Sequence, residues 1–457
     1  GLSHKTFPGF VVGLGLVIYL VLLVLSICYF TERIGTLDNA FQTFLLITEN
    51  NITIMADRWP AVIIRIVPWI LTTIGAPLII IMIGFSISYI LFQLTIFLLL
   101  AITLREPVLA VLQILVLLLA CSDGFYWCNS EQIQGISIVI LSFGFLRQSD
   151  LKINFKNIIL MVFLFFALLY YHPILVFPIG YLFCYSTIEK LKPDLRMLGF
   201  ALVFVIAWYI KNQFFSNWYD IMKSDEFADN LGLYVFNFWT LESISQFFGE
   251  TWTKYHFIIP GGIVCIFVQL AQKKFLSALY TLFIASLYFF IVIIATPTIE
   301  YSFYTESNFY ILILFFYYPI LKHLNDHTLN SSTFKITVTA ILLISIGRII
   351  SYSGNYQKRL DWISSTMEEN QCNKIIVTED LLDHEIRFQI WSLPYESLIL
   401  GHQKGMNKSI HPLVNSFEDD YNENLFVTSF KTHEPGEINS AYFQFPEGPY
   451  CTLGEHR

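Results

Sequence analysis

The chain has 457 residues, 55% of them hydrophobic and only 14% charged, with a mean hydropathy of +0.59 and a formal net charge of −8. Such usage lies far outside that of soluble proteins and excludes a chain solvated by water alone. The acidic balance argues against nucleic acid as a partner and against docking on anionic lipid.

A membrane-spanning helix needs roughly 20 apolar residues. Apolar stretches run at about 9–30, 76–103, 106–122, 132–146, 157–171, 173–188, 197–214, 256–271, 275–296, 308–321 and 335–350, so about eleven spans are expected. The first follows His4 and Lys5 but is too long for a secretory signal and lacks a small-residue cleavage pattern, which reads as a retained span. Every second loop is basic: Arg105; Arg147, Lys152 and Lys156; Lys190, Lys192 and Arg196; Lys273 and Lys274; Lys322 and Lys335. Basic loops face the cytoplasm. The opposite connections, at 31–75, 122–131, around 171–173, 215–255 and 297–307, then lie outside together with everything after residue 350.

The expected architecture is a polytopic α-helical membrane protein, residues 1–350, in the cytoplasmic membrane, followed by a small extracytoplasmic α/β domain, residues 351–457. From residue 351 onward there are 16 Asp and Glu against 8 Lys and Arg, so this tail carries the whole net charge. Residues 353–369 have helical spacing in Tyr356, Leu360, Ile363 and Met367 and prolong the last span. KIIVTED at 374–380, LFVTSF at 425–430 and AYFQF at 441–445 read as strands. No Gly-rich phosphate loop or nucleophile elbow occurs in the tail.

Seven cysteines are scattered, with no CxxC and no Cys/His spacing suited to zinc. The topology collects Cys121 with Cys128 and Cys372 with Cys451 on the outer side. Two disulfides there and free buried thiols are both open readings.

Ionisable groups at or near membrane depth cost several kcal/mol unless they work or are paired. The first outer connection holds Asp38 in Thr36-Leu37-Asp38-Asn39, then an amphipathic stretch with Arg58, Trp59, Arg65 and Trp69. The second holds Asp123, Tyr126, Trp127 and Asn129, with Ser130-Glu131-Gln132 opening a span. Tyr171-His172-Pro173 forms a tight turn, 215–255 carries Asp220, Asp225, Glu226 and Asp229, and Glu300, Tyr301, Tyr304, Glu306 and Asn308 crowd the last.

These positions resemble those of the polyprenyl-phosphate-dependent membrane glycosyltransferases of the GT-C class. Members carry an acidic residue, often Asp-Glu, soon after span one; here Asp38 is followed by Asn39. Ser130-Glu131-Gln132 stands where many have a Ser/Thr-Glu-Pro-like turn, Tyr171-His172-Pro173 resembles their short turn ending in Pro, and Glu306 to Pro319 has the shape of their late outer loop without its Arg. The resemblance implies a sugar donor held through its lipid phosphate at the outer face. Asp38 would then be the general base, with Asp123, Glu131, Glu306 and Asn308 binding substrate, and Arg58, Arg65 and His172 stabilising the leaving phosphate. No cofactor is implied beyond a divalent ion, which some members use and others do not.

Each residue has a plainer reading. Asp38 caps an interfacial helix through Ala40 to Leu46, Glu131 answers a helix dipole, His172 is a turn residue, and Arg58 and Arg65 snorkel to the interface. Trp59, Trp69, Trp127, Trp218, Trp239 and Trp252 form an interfacial belt or stack on sugar rings. Two other functions stay open: a non-catalytic membrane subunit that holds protein partners in a larger assembly, and a transporter, disfavoured by the absence of an internal repeat.

Overall fold

The computed structural model describes residues 3–148, 155–190, 194–298, 302–324, 326–414 and 421–453; Lys152, Lys192, Glu300 and Tyr301 fall outside them. Each apolar stretch of the sequence coincides with a helix. The first half of the chain contains α1 (Ser3–Cys28), α2 (Phe30–Ile34), α3 (Leu37–Glu49), α4 (Val62–Thr73), α5 (Leu78–Leu98, prolonged by a π turn to Thr103), α6 (Pro107–Leu119), α7 (Glu131–Gln148), α8 (Phe155–Tyr171) and α9 (Val176–Lys190). The second half continues with α10 (Leu195–Phe214), α11 (Trp218–Tyr234), α12 (Glu242–Thr253), α13 (Ile258–Ala271), α14 (Phe275–Ala295), α15 (Ser302–His323), α16 (Asp326–Asn330) and α17 (Ser332–Glu369).

Among the described residues, five helices are long and apolar enough to cross a membrane: α1 from Pro8, α5 with its π turn, α10, α14 and α17. A sixth is added if α12 and α13, bent by 85° at their junction, form one span. Several of the remaining apolar stretches form shorter helices. The 13 residues of α6 rise only about 20 Å, short of the roughly 30 Å of hydrocarbon. This helix is buried from Leu109 to Leu119 and lies inside the bundle, as does most of α15. Polar groups in that interior satisfy one another: Tyr19 donates to Gln113 at 2.6 Å, Gln113 to Gln93 at 3.0 Å, and Ser137 to Gln93 at 2.7 Å.

The surrounding helices turn apolar side chains outward. Leu16, Val17 and Leu20 of α1, Phe163 and Phe166 of α8, Leu202 and Val203 of α10, Leu279 and Phe283 of α14, and Leu343 and Ile344 of α17 are all exposed. A surface so uniformly greasy is stable only against lipid or another apolar partner. Trp59, Trp69, Trp218, Trp239 and Trp252 are exposed in the same way, but Trp127 is buried and stacks on Phe303 at 4.1 Å, so it belongs to the core rather than to a belt.

The 38 residues of α17 extend about 57 Å and carry the chain beyond the bundle. There the C-terminal region forms β1 (Lys374–Val377), α18 (His384–Arg387), α19 (Leu393–Lys404), β2 (Ser409–Pro412), β3 (Phe426–Val427), β4 (Thr432–His433) and β5 (Tyr450–Thr452). β1 is central in a parallel sheet ordered β2-β1-β5, and β3 and β4 form an antiparallel pair. Ile375, Val377, Ile410, Leu393 and Leu400 pack on Ile363 and Met367 of α17 as a local core. AYFQF is not a strand: Asn439 closes a turn on Tyr442 and Phe443, whose rings are buried, and the third strand is Tyr450–Thr452 instead. Cys372 and Cys451, which flank β1 and lie in β5, form a disulfide, whereas Cys121 and Cys128 are free buried thiols.

Candidate functional site

The site is built where α3, α4, α7 and α11 meet at the end of the bundle that carries the C-terminal region. Gly35 and Thr36 break the chain after α2, and α3 starts at Leu37. Thr36 holds the cap position but spends its hydroxyl on the carbonyl of Glu32 at 2.7 Å. Asp38 therefore lies inside the first turn and is not the cap. The residue as a whole is half-buried. Burial, and then the neighbouring Glu131, push its carboxyl up to about 6, against the opposing pull of Arg65.

Arg65 reaches this pocket from the inward face of α4, whose opposite face exposes Ile63, Ile66, Val67 and Ile70. The guanidinium is 2% exposed. Nη1 donates to the carbonyl of Thr53, Nη2 lies 3.9 Å from Glu131 Oε1, and the buried Nε has no hydrogen-bond partner. Glu131 is the first residue of α7, where the helix dipole favours a negative charge.

A second set of charges adjoins the first. Arg58 grips Asp220 through Nη2 at 2.5 Å and Nη1 at 3.3 Å, and Lys211, from the end of α10, reaches the same carboxylate at 3.3 Å. Asn217 caps α11 by accepting the N–H of Asp220 at 2.9 Å, and its amide donates to the carbonyl of Ala56 at 2.9 Å. His172 accepts the N–H of Ile174 at 3.3 Å. Burial, with Arg58 and Lys211 in reach, lowers its pKa to about 3, so the ring is neutral at physiological pH. Tyr219, 37% exposed, lies in the field of both sets, since Arg58, Glu131 and Asp38 all act on its hydroxyl. Three cations, Arg58, Arg65 and Lys211, thus face three carboxylates, Asp38, Glu131 and Asp220.

Three of the seven non-glycine residues with positive φ among the described residues adjoin the site. Leu37, immediately before Asp38, has φ +52°, and Ala56 and Asp57, immediately before Arg58, have φ +49° and +54°. A residue with a side chain pays about 1–2 kcal/mol in that region, and such conformations gather at functional sites.

Asp123 and Glu306 lie elsewhere, in a sealed box. The Glu306 carboxylate accepts the backbone N–H groups of Ser122, Asp123 and Gly124 at 3.1, 2.9 and 2.6 Å, the Ser122 hydroxyl at 2.7 Å, and the hydroxyls of Tyr255 and Tyr310. Asp123 accepts from Tyr356 and from Ser302 at 2.8 Å. Both side chains are fully buried, so they fasten α15 and α17 to the 122–131 connection and offer nothing to a ligand. Asn308 is also committed, accepting from Tyr288 at 2.8 Å and donating to the carbonyl of Tyr304 at 2.8 Å.

Of the residues singled out in the sequence, the fold brings together Asp38, Glu131, Arg65, Arg58 and His172, and holds Asp123, Glu306 and Asn308 apart. Lys211, Asp220 and Tyr219 join the site without having been singled out for it. Lys211 left a signal, because a lysine inside the apolar stretch 197–214 is expensive without a partner. Among the described residues no group of three or more His, Cys, Asp and Glu side chains is placed to hold a metal ion. The positive charge beside Asp38 and Glu131 is Arg65, so the donor set does not fit a divalent cation. No protein-family model matches the chain, and neither a curated protein nor a solved structure matches it.

Proposed function

We propose that the protein transfers a sugar from a polyprenyl-phosphate donor to an acceptor hydroxyl at the membrane surface on the side of its C-terminal region. The observation that carries this reading is the meeting of the partly exposed Asp38 and Glu131 with the buried Arg65, beside Arg58 and Lys211. A carboxyl with a pKa near 6 suits a general base at neutral pH. In the step proposed, the acceptor oxygen bonds to the anomeric carbon and gives its proton to Asp38. The bond from that carbon to the phosphate oxygen breaks, and the electron pair leaves with the phosphate, stabilised by the field of Arg58 and Lys211, two cations that share the single carboxylate of Asp220.

The exposed apolar face of α4, with Trp59 and Trp69, and the exposed Phe214, Phe215 and Trp218 lie on the segments that carry Arg58, Arg65, Lys211 and Asp220, and in this reading they receive the lipid tail. The Cys372–Cys451 disulfide supports an oxidising, extracytoplasmic location for the C-terminal region, in line with basic loops at the other end.

The purified protein in proteoliposomes, given a panel of polyprenyl-phosphate sugars and acceptors, is expected to release free polyprenyl phosphate, and Asp38→Asn to stop the release. No release from any donor by intact protein would remove the proposal. The rival, a non-catalytic subunit, draws on the closed pairing of Arg58, Lys211 and Asp220. It predicts stable copurification with other membrane proteins and no transfer.

A further inference from the structure

We propose that the C-terminal region is a splint for α3 and that Glu396 is the positioning residue that holds Asp38 in place. α3 has no side-chain cap of its own. Its first N–H, that of Leu37, is taken instead by Glu396 Oε1 at 2.5 Å, from a residue far along the chain. Glu396 is fully buried on α19, where Ser392 donates to Oε1 at 2.6 Å and Arg359 to Oε2 at 2.7 Å. Arg359 is itself anchored on α17, and donates to the carbonyls of Ile386 and Phe388 at 3.0 and 2.8 Å. A continuous buried link therefore runs from the long helix through Arg359 and Glu396 to the residue before Asp38.

The other end of α3 is treated alike: Asn439 donates to the carbonyl of Ile47, in the last turn, at 2.9 Å. Between the two ends, Phe41 packs on Tyr395 at 5.0 Å, Phe430 at 5.4 Å and Trp391 at 5.7 Å, while Phe44 packs on Tyr395 at 5.1 Å and Phe443 at 5.9 Å. The C-terminal region thus caps both termini of α3 and grips its apolar side, leaving Asp38 turned toward Arg65 and Glu131. A carboxylate at a helix N-terminus also complements the dipole. The left-handed Leu37 is a conformation that persists only when its surroundings impose it, and the Glu396 contact is the imposing element. The catalytic side of this inference rests on the reading of Asp38 as a base; the splint itself does not.

Hydrogen–deuterium exchange of the full-length protein in nanodiscs separates the two. In Glu396→Leu, exchange of peptides covering 36–40 is expected to rise at least tenfold, while the sheet at 374–377 and 409–412 stays protected. Unchanged exchange at 36–40 with an intact sheet overturns the proposal. Should Glu396→Leu fail to fold, Glu396→Gln carries the test, since it keeps the volume and one acceptor oxygen but loses the ion pair; a rise of threefold or more at 36–40 is expected, and no rise is a refutation. Collapse of both variants would assign Glu396 to folding alone and also end the proposal. Where transfer is measurable, Glu396→Gln is expected to lower kcat per folded molecule at least tenfold, with the rate divided by the folded fraction recovered on size-exclusion chromatography, because a loss of folded protein by itself also lowers apparent kcat at unchanged KM. Absence of transfer in the wild type would strike the sugar-transfer reading and leave the exchange result standing.

Discussion

Arg65 Nη2 lies 3.9 Å from Glu131 Oε1, and Asp38 lies within electrostatic reach of both. One guanidinium between two carboxylates cannot neutralise both: burial raises the pKa of Asp38 and of Glu131, and Glu131 adds to the rise at Asp38. The Asp38 carboxyl protonates near 6 when folded, against an ordinary value of 3.8. Between those values the folded state binds more protons than the unfolded chain, so the stability linked to Asp38 is present at low pH and is lost as pH rises through about 6. Asp38→Asn is therefore expected to raise Tm relative to the wild type by more at pH 7.5 than at pH 4.5, read by thermal unfolding in detergent. An equal change at both values would mean that Asp38 does not titrate as described.

In the proposed transfer reaction, the same carboxyl would set the pH dependence. Rates are expected to fall tenfold per unit below about pH 6 as the base is protonated, and Asp38→Asn to lose about 10²–10⁴-fold in kcat. A profile flat from pH 5 to pH 7 would point to a different base.

Asp220 is the counter-ion shared by Arg58 and Lys211, all three nearly inaccessible. Asp220→Asn leaves two buried cations without their anion, at a cost of about 3–5 kcal/mol. Removing one cation together with the anion, as in Asp220→Asn with Lys211→Met, is expected to cost less than Asp220→Asn alone. A double-mutant cycle in chemical denaturation measures this, and simple additivity would show that the pair is not coupled.

Glu306 is expected to matter for stability rather than for chemistry. Glu306→Ala orphans three backbone N–H groups and several hydroxyls and is expected to cost about 3–5 kcal/mol. Gly124→Ala tests the same box from outside, because a Cβ there would lie 2.5 Å from the Tyr310 hydroxyl and 2.7 Å from Glu306 Oε1. Wild-type melting behaviour in both variants would contradict the tightness of this packing.

The Cys372–Cys451 bridge closes a loop of 79 residues, for which chain entropy gives about 4 kcal/mol of stabilisation. Reduction is expected to lower the unfolding temperature of the C-terminal region and to leave the bundle intact. Peptide mapping of the unreduced protein should find this pair linked and Cys121 and Cys128 as thiols; a linked Cys121 and Cys128 would contradict the free buried pair.

Much of the fold was legible because hydropathy is a local property. Runs such as LIIIMIGFSISYILFQLTIFL specify a helix from their own composition, and the helical spacing of Tyr356, Leu360, Ile363 and Met367 foretold the projection of α17. Which apolar stretches form helices of spanning length was less legible, since α6 has only 13 residues and is buried along most of its length. AYFQF misled for a related reason: its aromatic alternation fits a strand, yet Tyr442 and Phe443 are buried through a turn that packs against the bundle, where Tyr442 donates to the carbonyl of Thr72 at 3.3 Å.

By itself the sequence determined where the helices lie, that their surfaces demand an apolar surrounding, and that a handful of charged residues needed partners. Which partners they found was decided only by tertiary structure. Asp38 and Asp123 look alike in sequence, each an acid in a connection between apolar stretches, yet one is partly exposed beside Arg65 and the other is walled in by Tyr356 and Ser302. The difference arises because burial and electrostatic pairing depend on helices remote in the chain, and no local pattern of residues records which of them will pack together.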